Sequence, residues 1–491
     1  MAYIKHFFLF LQERSGKLNK IVPWFLMIYF ILICFPYIFA RVPILNNLFS
    51  NSTIAFTFRF GFLVAYALFG IVLMVANKLK IKRFFFVGSI FLLLLFVITT
   101  FISSDSIVSY SLYFTGKVSF SSTTIGVYTK LVHIARFGGD LVFFFFLLNC
   151  YPYCFKNRNQ FTYVILPIVI IALIGVTYTL IFERHVISAV IDGTISAENL
   201  HSIFHSKNAY GIFLFNGATV ATFIFFSDTR KWMKLFALTV PVFFIMSYII
   251  NCKLAAVCIL ILFILSYVYV IFRYFKTRTY ISIIFLVVAL LISIGVVLVF
   301  TIPQLHEDGI IGKIYTKIMD SIKTFNISSF IGRTTEWEIV PRMTNGIFSV
   351  IGFSSASGYS LITAYTSING STAASLYDLH NAYIDFYAYH GIVGCSFLIV
   401  LYSYVIYLIY KLFKKNKAIS LMVAIILFVS ILFGMAETYR LFLSMSANTF
   451  ALNIMIMGLL LFELKDDLTV ANPRMFFSSF LHKKKVENNR L

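Results

Sequence analysis

Two short strings in the second half of the chain carry side chains suited to chemistry. They are Gly332-Arg333-Thr334-Thr335-Glu336-Trp337 and Asp378-Leu379-His380-Asn381-Ala382-Tyr383, the second running on to Gly391-Ile392-Val393-Gly394. A guanidinium fork can grip the paired oxygens of a carboxylate or phosphate, and an imidazole can accept a proton near neutral pH. Further cations interrupt otherwise apolar surroundings at Arg59, Lys130, Arg136, Lys253 and Arg440. A charge near a bilayer centre costs at least about 2.5–3.5 kcal/mol, so such residues need a reason. At helical spacing Lys130, His133, Arg136 and Asp140 fall within an arc of roughly 120°. Taken together, the five cations would form a pocket opening to the outer leaflet. Its ligand would be anionic and lipid-borne, and a pyrophosphate held by guanidinium forks is the natural candidate. The plainer alternative is that Arg59 and Lys130 snorkel to headgroups while Arg136 pairs with Asp140 four residues on. The outer face shows no Asp or Glu cluster with metal-ligand spacing, so neither a metal nor a cofactor is expected.

The elements that must position these groups are membrane spans. Of 491 residues, 60% are hydrophobic and 12% charged, with a mean hydropathy of +0.91. That composition excludes a soluble domain of this length. Apolar runs long enough to cross about 30 Å of hydrocarbon predict an all-α integral membrane protein of about twelve transmembrane helices. The predicted spans are 21–40, 54–76, 84–102, 124–150, 161–183, 208–227, 233–251, 254–275, 280–302, 382–410, 418–440 and 446–464. The first run is too long for a signal-peptide core and is expected to remain as a span.

The net charge of +21 follows topology rather than nucleic-acid binding, and no nucleic-acid partner is expected. Most Lys and Arg residues fall at the amino terminus, near 78–83, 156–158, 230–234, 273–278 and 411–417, and in the tail. This bias predicts that both termini are cytoplasmic. The organisation expected is spans 1–9 in 1–302, an extracytoplasmic loop subdomain at 303–380, spans 10–12 in 381–464, and a basic tail at 465–491. Within the loop, Ile314, Ile318, Ile322 and Phe325 mark one helical stripe. A second stretch begins near Arg333 and carries Trp337, Val340 and Met343, and Pro341 should bend it. From Thr344 to Tyr377 no residue is charged, and a flexible or substrate-covering loop is expected there. The six cysteines, Cys34, Cys150, Cys154, Cys252, Cys258 and Cys395, read as free thiols.

The Arg333…Trp337 and His380-Asn381 strings, the Gly-rich turn after them, and the long loop between the ninth and tenth of twelve spans resemble the O-antigen ligase and polymerase superfamily. His205-Ser206-Lys207-Asn208-Ala209-Tyr210-Gly211 is similar to another segment of that group. The chain departs from it at His390, where many relatives have Glu, and at Lys253, where many have Arg. The resemblance implies a glycosyltransferase in the bacterial cytoplasmic membrane that uses an undecaprenyl-diphosphate-linked glycan. His380 would be the general base, a role typically worth about 10²–10⁴ in rate. Arg333 would lead the diphosphate contacts, with Arg136 and Arg440 beneath it, and direct displacement would invert the anomeric centre. Arg59, Lys130, Lys253, His205, Lys207, Asn208, Asn381, Tyr383 and Trp337 complete the expected substrate contacts. Interfacial aromatic belts explain Trp337 and Tyr383 equally well. Joining of repeat units into a surface polysaccharide is favoured over ligation of the finished chain to another acceptor. Chain-length regulator and flippase proteins are expected as partners besides membrane lipid. A transporter of lipid-linked glycan is the reading from a different class.

Overall fold

The computed structural model describes residues 2–38, 52–115, 126–191, 196, 199–204, 206–274, 340, 344, 346–355, 381–437, 439–444 and 446–466. Among these residues there are helices and turns but no strand. The helices are α1 (Ala2–Glu13), α2 (Ser15–Ile38), α3 (Ser52–Ala76), α4 (Arg83–Thr115), α5 (Val127–Asn149), α6 (Tyr151–Cys154), α7 (Asn159–Phe182) and α8 (Arg184–Ile191). They continue with α9 (Lys207–Ser227), α10 (Thr239–Ile249), α11 (Lys253–Tyr274), α12 (Ile347–Ile351), α13 (Ala382–Lys415), α14 (Lys417–Gly434), α15 (Ala447–Asn453) and α16 (Leu459–Glu463). Nine helical stretches among the described residues are long and apolar enough to cross a membrane, which makes this a multi-pass membrane protein. Large apolar side chains such as Leu68, Ile71, Phe91, Leu94 and Ile98 are exposed on these helices, as a lipid solvent allows. The predicted ninth span, 280–302, lies outside the described residues.

Hydropathy misses four details of the helices, one of which shortens a predicted span. The helix α1 precedes the first span and was not expected. The seventh span is present as Trp232–Ile249, and it begins as a 3₁₀ turn at Trp232–Leu238 that leads into α10. The last span carries a π turn at Ile454–Gly458. The eleventh does not reach residue 440: α14 ends at Gly434, where Met435 N turns back onto the carbonyls of Ile431, Leu432 and Phe433. A Cβ on Gly434 would meet Tyr439 O at 2.6 Å, so the chain folds tightly back over this helix end.

By packing, the chain forms two units, the first comprising Met1–Cys34, Leu48–Ile165 and Arg333–Leu491, the second Phe35–Asn47 and Leu166–Gly332. In the second unit α9 is the central helix, with 89% of its span buried. Its small residues allow this close approach. A Cβ on Gly217 would lie 2.9 Å from that of Ala172, and one on Gly211 would lie 2.2 Å from Cys252 Sγ.

In the first unit the ends of α3, α4 and α5 are tied by polar contacts. Asn19 and Asn77 exchange side-chain hydrogen bonds. Lys82, fully buried, donates to Leu148 O at 2.9 Å and Tyr153 Oη at 2.7 Å. All six cysteines are free.

The central feature of this unit is a break in α13. Gly391 has φ 61° and ψ −165°, a conformation essentially confined to glycine. Helical bonding is interrupted there, and residues 346–355, a hook formed by α12 and the extended step after it, supply the replacement. Phe353 N donates to Ala388 O at 2.8 Å and Ser354 N to Tyr389 O at 3.1 Å. The backbones touch: a Cβ on Gly352 would lie 2.4 Å from His390 N, and one on Gly391 would lie 2.3 Å from Val350 O. The hook falls within the uncharged stretch expected to be a flexible or substrate-covering loop, and this part of it is docked structure.

Two predictions follow from these contacts. Gly391→Ala, strained and in collision with backbone, should cost about 3 kcal/mol of stability. Gly61→Ala, whose added Cβ meets nothing within 4 Å, should change the detergent unfolding midpoint little. Burial pulls the Lys82 pKa from 10.5 to about 7. A base depressed in the folded state binds fewer protons there than when unfolded, so stability rises with pH between about 7 and 10.5. The unfolding midpoint should climb across that window in the native protein and flatten in Lys82→Met.

Candidate functional site

The first unit gathers polar groups from α4, α5, α13, the hook and the turn 435–444 after α14. Asn381 caps α13, its Oδ1 accepting from Tyr383 N at 3.0 Å and Ile384 N at 3.1 Å. Its Nδ2 donates to Met435 O at 2.8 Å, and Ala382 N donates to Glu437 O at 3.2 Å. The start of α13 is therefore fastened to the turn that carries Arg440.

Arg440 is held on three sides. Its Nε donates to Phe442 O and Leu443 O, both at 3.1 Å, and Nη2 also donates to Leu443 O. Leu443 has φ 55°, a strained value for a branched residue, and these bonds hold its carbonyl in place. Nη2 reaches Asp140 Oδ2 at 3.4 Å, and the guanidinium carbon lies 4.6 Å from the Phe386 ring centre. Desolvation pulls the Arg440 pKa below its usual value; Asp140 leads the groups that favour its charge, followed by Asp385, Tyr402 and Tyr389. An arginine remains charged in such a setting. The reading that left Arg136 as the partner of Asp140 did not anticipate Arg440, 300 residues away along the chain.

The hook adds a second set of contacts. Thr100 donates to Phe96 O at 2.7 Å, so the 2.7 Å bond between Thr100 Oγ1 and Ser354 Oγ uses the serine proton. His133 Nδ1 lies 2.8 Å from Ser355 Oγ. His390 is buried against the rings of Phe137 and Phe386, each 4.3 Å away, and of Phe96 at 5.1 Å.

Of the predicted site residues, Arg136, Asn381, Tyr383 and Arg440 belong to the same unit as these groups, as do Arg59 and Lys130. Lys130 is half-buried, with Nζ 5.3 Å from the Phe101 ring, and Arg136 is exposed. Tyr383 turns into the helix packing, where its hydroxyl meets Tyr402 Oη at 3.3 Å. Asn381 and Tyr383 thus have structural partners where the sequence suggested substrate contacts. Lys207 and Asn208 open α9 in the second unit, behind Ser206, which caps it by accepting from Ala209 N. Lys253 is exposed at the start of α11. His205, Arg333, Trp337 and His380 lie outside the described residues.

Sequence reasoning passed over Asp385, although a buried carboxylate one turn inside an apolar span was a visible signal. It also passed over Thr100, Ser354 and Ser355, whose types carry no signal until the hook brings them to α4 and α5. No protein-family profile matches the chain, and no curated protein matches it in sequence.

Removing one partner of the Arg440–Asp140 pair leaves a poorly solvated charge. Asp140→Ala and Arg440→Ala should each cost about 3 kcal/mol. The double variant should lose less than the sum of the two, as measured by detergent unfolding in a double-mutant cycle.

Proposed function

We propose that this protein is a membrane glycosyltransferase that joins undecaprenyl-diphosphate-linked oligosaccharide units into a surface polysaccharide at the outer face of the bacterial cytoplasmic membrane. Twelve spans, cytoplasmic termini and an outer loop at 303–380 belong to the same proposal. The observation that supports it best is the anchoring of Asn381, bonded covalently to His380, beside the turn that holds Arg440 against Asp140.

The anomeric carbon of a glycosyl diphosphate is already activated. The protein's tasks are to remove the acceptor hydroxyl proton and to stabilise the departing diphosphate. His380 takes the proton while the acceptor oxygen attacks the anomeric carbon from the face opposite the diphosphate. The bond to the diphosphate oxygen breaks with inversion, and Arg333 holds the charge that develops. Arg136 supplies further positive potential, and Arg440 shapes the floor through Asp140. The residues suit metal-independent transfer, because cations take the part a divalent ion would play.

A second reading, transport of the lipid-linked glycan without chemistry, draws on the broken helix at Gly391, since transporters place substrates at interrupted helices. The two readings separate in one assay. Purified protein mixed with lipid-linked repeat units, without added metal, should lengthen the glycan. His380→Ala should lower the rate by about 10²-fold or more. Arg333→Lys, which keeps the charge but loses the fork, should also be impaired. Full activity of His380→Ala would remove the general-base assignment, and single units left unchanged by the native protein would favour transport.

A further inference from the structure

The hook at 346–355 is more elaborate than a connection requires. Within nine residues it contains three positive φ angles: Gly346 at 62°, Gly352 at 77° and Ser354 at 64°. The last is a strained value for a residue with a side chain, and such strain persists only where its surroundings over-determine it. Here they do. Phe353 and Ser354 bond the carbonyls of Ala388 and Tyr389 at the α13 break, and the Phe353 ring is buried and stacked on Phe348 at 4.6 Å. Two side-chain bonds then fix the end of the hook to different helices, Ser354 to Thr100 on α4 and Ser355 to His133 on α5.

His133 lies one helical turn before Arg136 and two before Asp140, on the face that also meets Arg440. A hydrogen bond from this helix to the hook therefore ties the cationic groups to the chain that carries both motifs. Arg333 precedes Gly346 by 13 residues, and His380 immediately precedes Asn381.

We propose that the hook holds α4, α5 and the break in α13 in one fixed register, and that His133 is a positioning residue acting through Ser355. This rests on the glycosyl transfer reading above. The imidazole does not touch substrate. It holds one end of the hook while the α13 break holds the other, so that α5, with Arg136 and Asp140, and the start of α13 keep one arrangement during turnover. Misplacement of about 1 Å by a distant change can cost on the order of 10²-fold in rate, which makes such a tie kinetically visible.

The docking itself is tested without activity. Side-chain oxygens 2.7 Å apart place residues 100 and 354 close to disulfide reach. Thr100→Cys/Ser354→Cys, in a Cys395→Ala background, should cross-link on mild oxidation in membranes. The oxidised form should elongate glycan no more slowly than its own reduced form. Failure to cross-link would overturn the docked hook, and a slower oxidised form would show that the hook must leave for turnover, against a fixed register. For positioning, His133→Ala and Ser355→Ala should each lower kcat about tenfold or more, with KM for the lipid-linked donor within about twofold. His133→Asn, whose amide stands where Nδ1 stood, should restore most of the rate. Native kcat in His133→Ala, a change in KM alone, or no rescue by Asn would overturn the positioning role. If the native protein elongates nothing while the disulfide forms, the glycosyl transfer reading and the positioning role fail together and the docked hook stands.

Discussion

In a hydrocarbon solvent every backbone polar group must find its partner within the protein, and this chain breaks that rule's simplest solution at one place. At Gly391 the helix α13 interrupts its own hydrogen bonding, and the carbonyls of Ala388 and Tyr389 are taken instead by Phe353 and Ser354. The contact is backbone on backbone, close enough that both Gly352 and Gly391 exclude a Cβ. Much of the first unit depends on this exchange. It brings the hook to α4 and α5, and it leaves the short first part of α13, from Ala382 to His390, to be steered by its own contacts.

Those contacts converge on the turn after α14. Asn381 caps α13 and reaches Met435 O, Ala382 N reaches Glu437 O, and the Phe386 ring touches both the guanidinium of Arg440 and the ring of His390. Arg440 in turn holds the strained carbonyl of Leu443 and meets Asp140 on α5. A half-buried cation with several partners costs less than an isolated one, and its rigid fork transmits position from one helix to another. In the proposed reaction this arrangement shapes the site from below, while the motif residues His380 and Arg333 carry the chemistry.

The sequence was most informative where one physical rule dominates. Unbroken apolar length located the helices Ser52–Ala76 and Asn159–Phe182 to within about two residues, because a bilayer of fixed thickness leaves few alternatives. It failed where geometry is set by distant partners. Hydropathy carried α14 on to residue 440, but Gly434 and the carbonyls behind it end the helix earlier. The stretch from Thr344, poor in charge and rich in Ser, Thr and Gly, read as a loop. Its docking depends on a break in α13 that a lone Gly391 only hints at. Asn381 was noticed for its place in a motif, yet its amide is occupied in capping, a role its position before an apolar helix also encodes.

The most direct measurement is the length of the surface glycan in cells lacking the gene. The account predicts single repeat units in place of long chains, restored to full length by the native gene. Full-length chains left on their lipid carrier would contradict it in favour of ligation, and repeat units that never reach the outer face would contradict it in favour of transport.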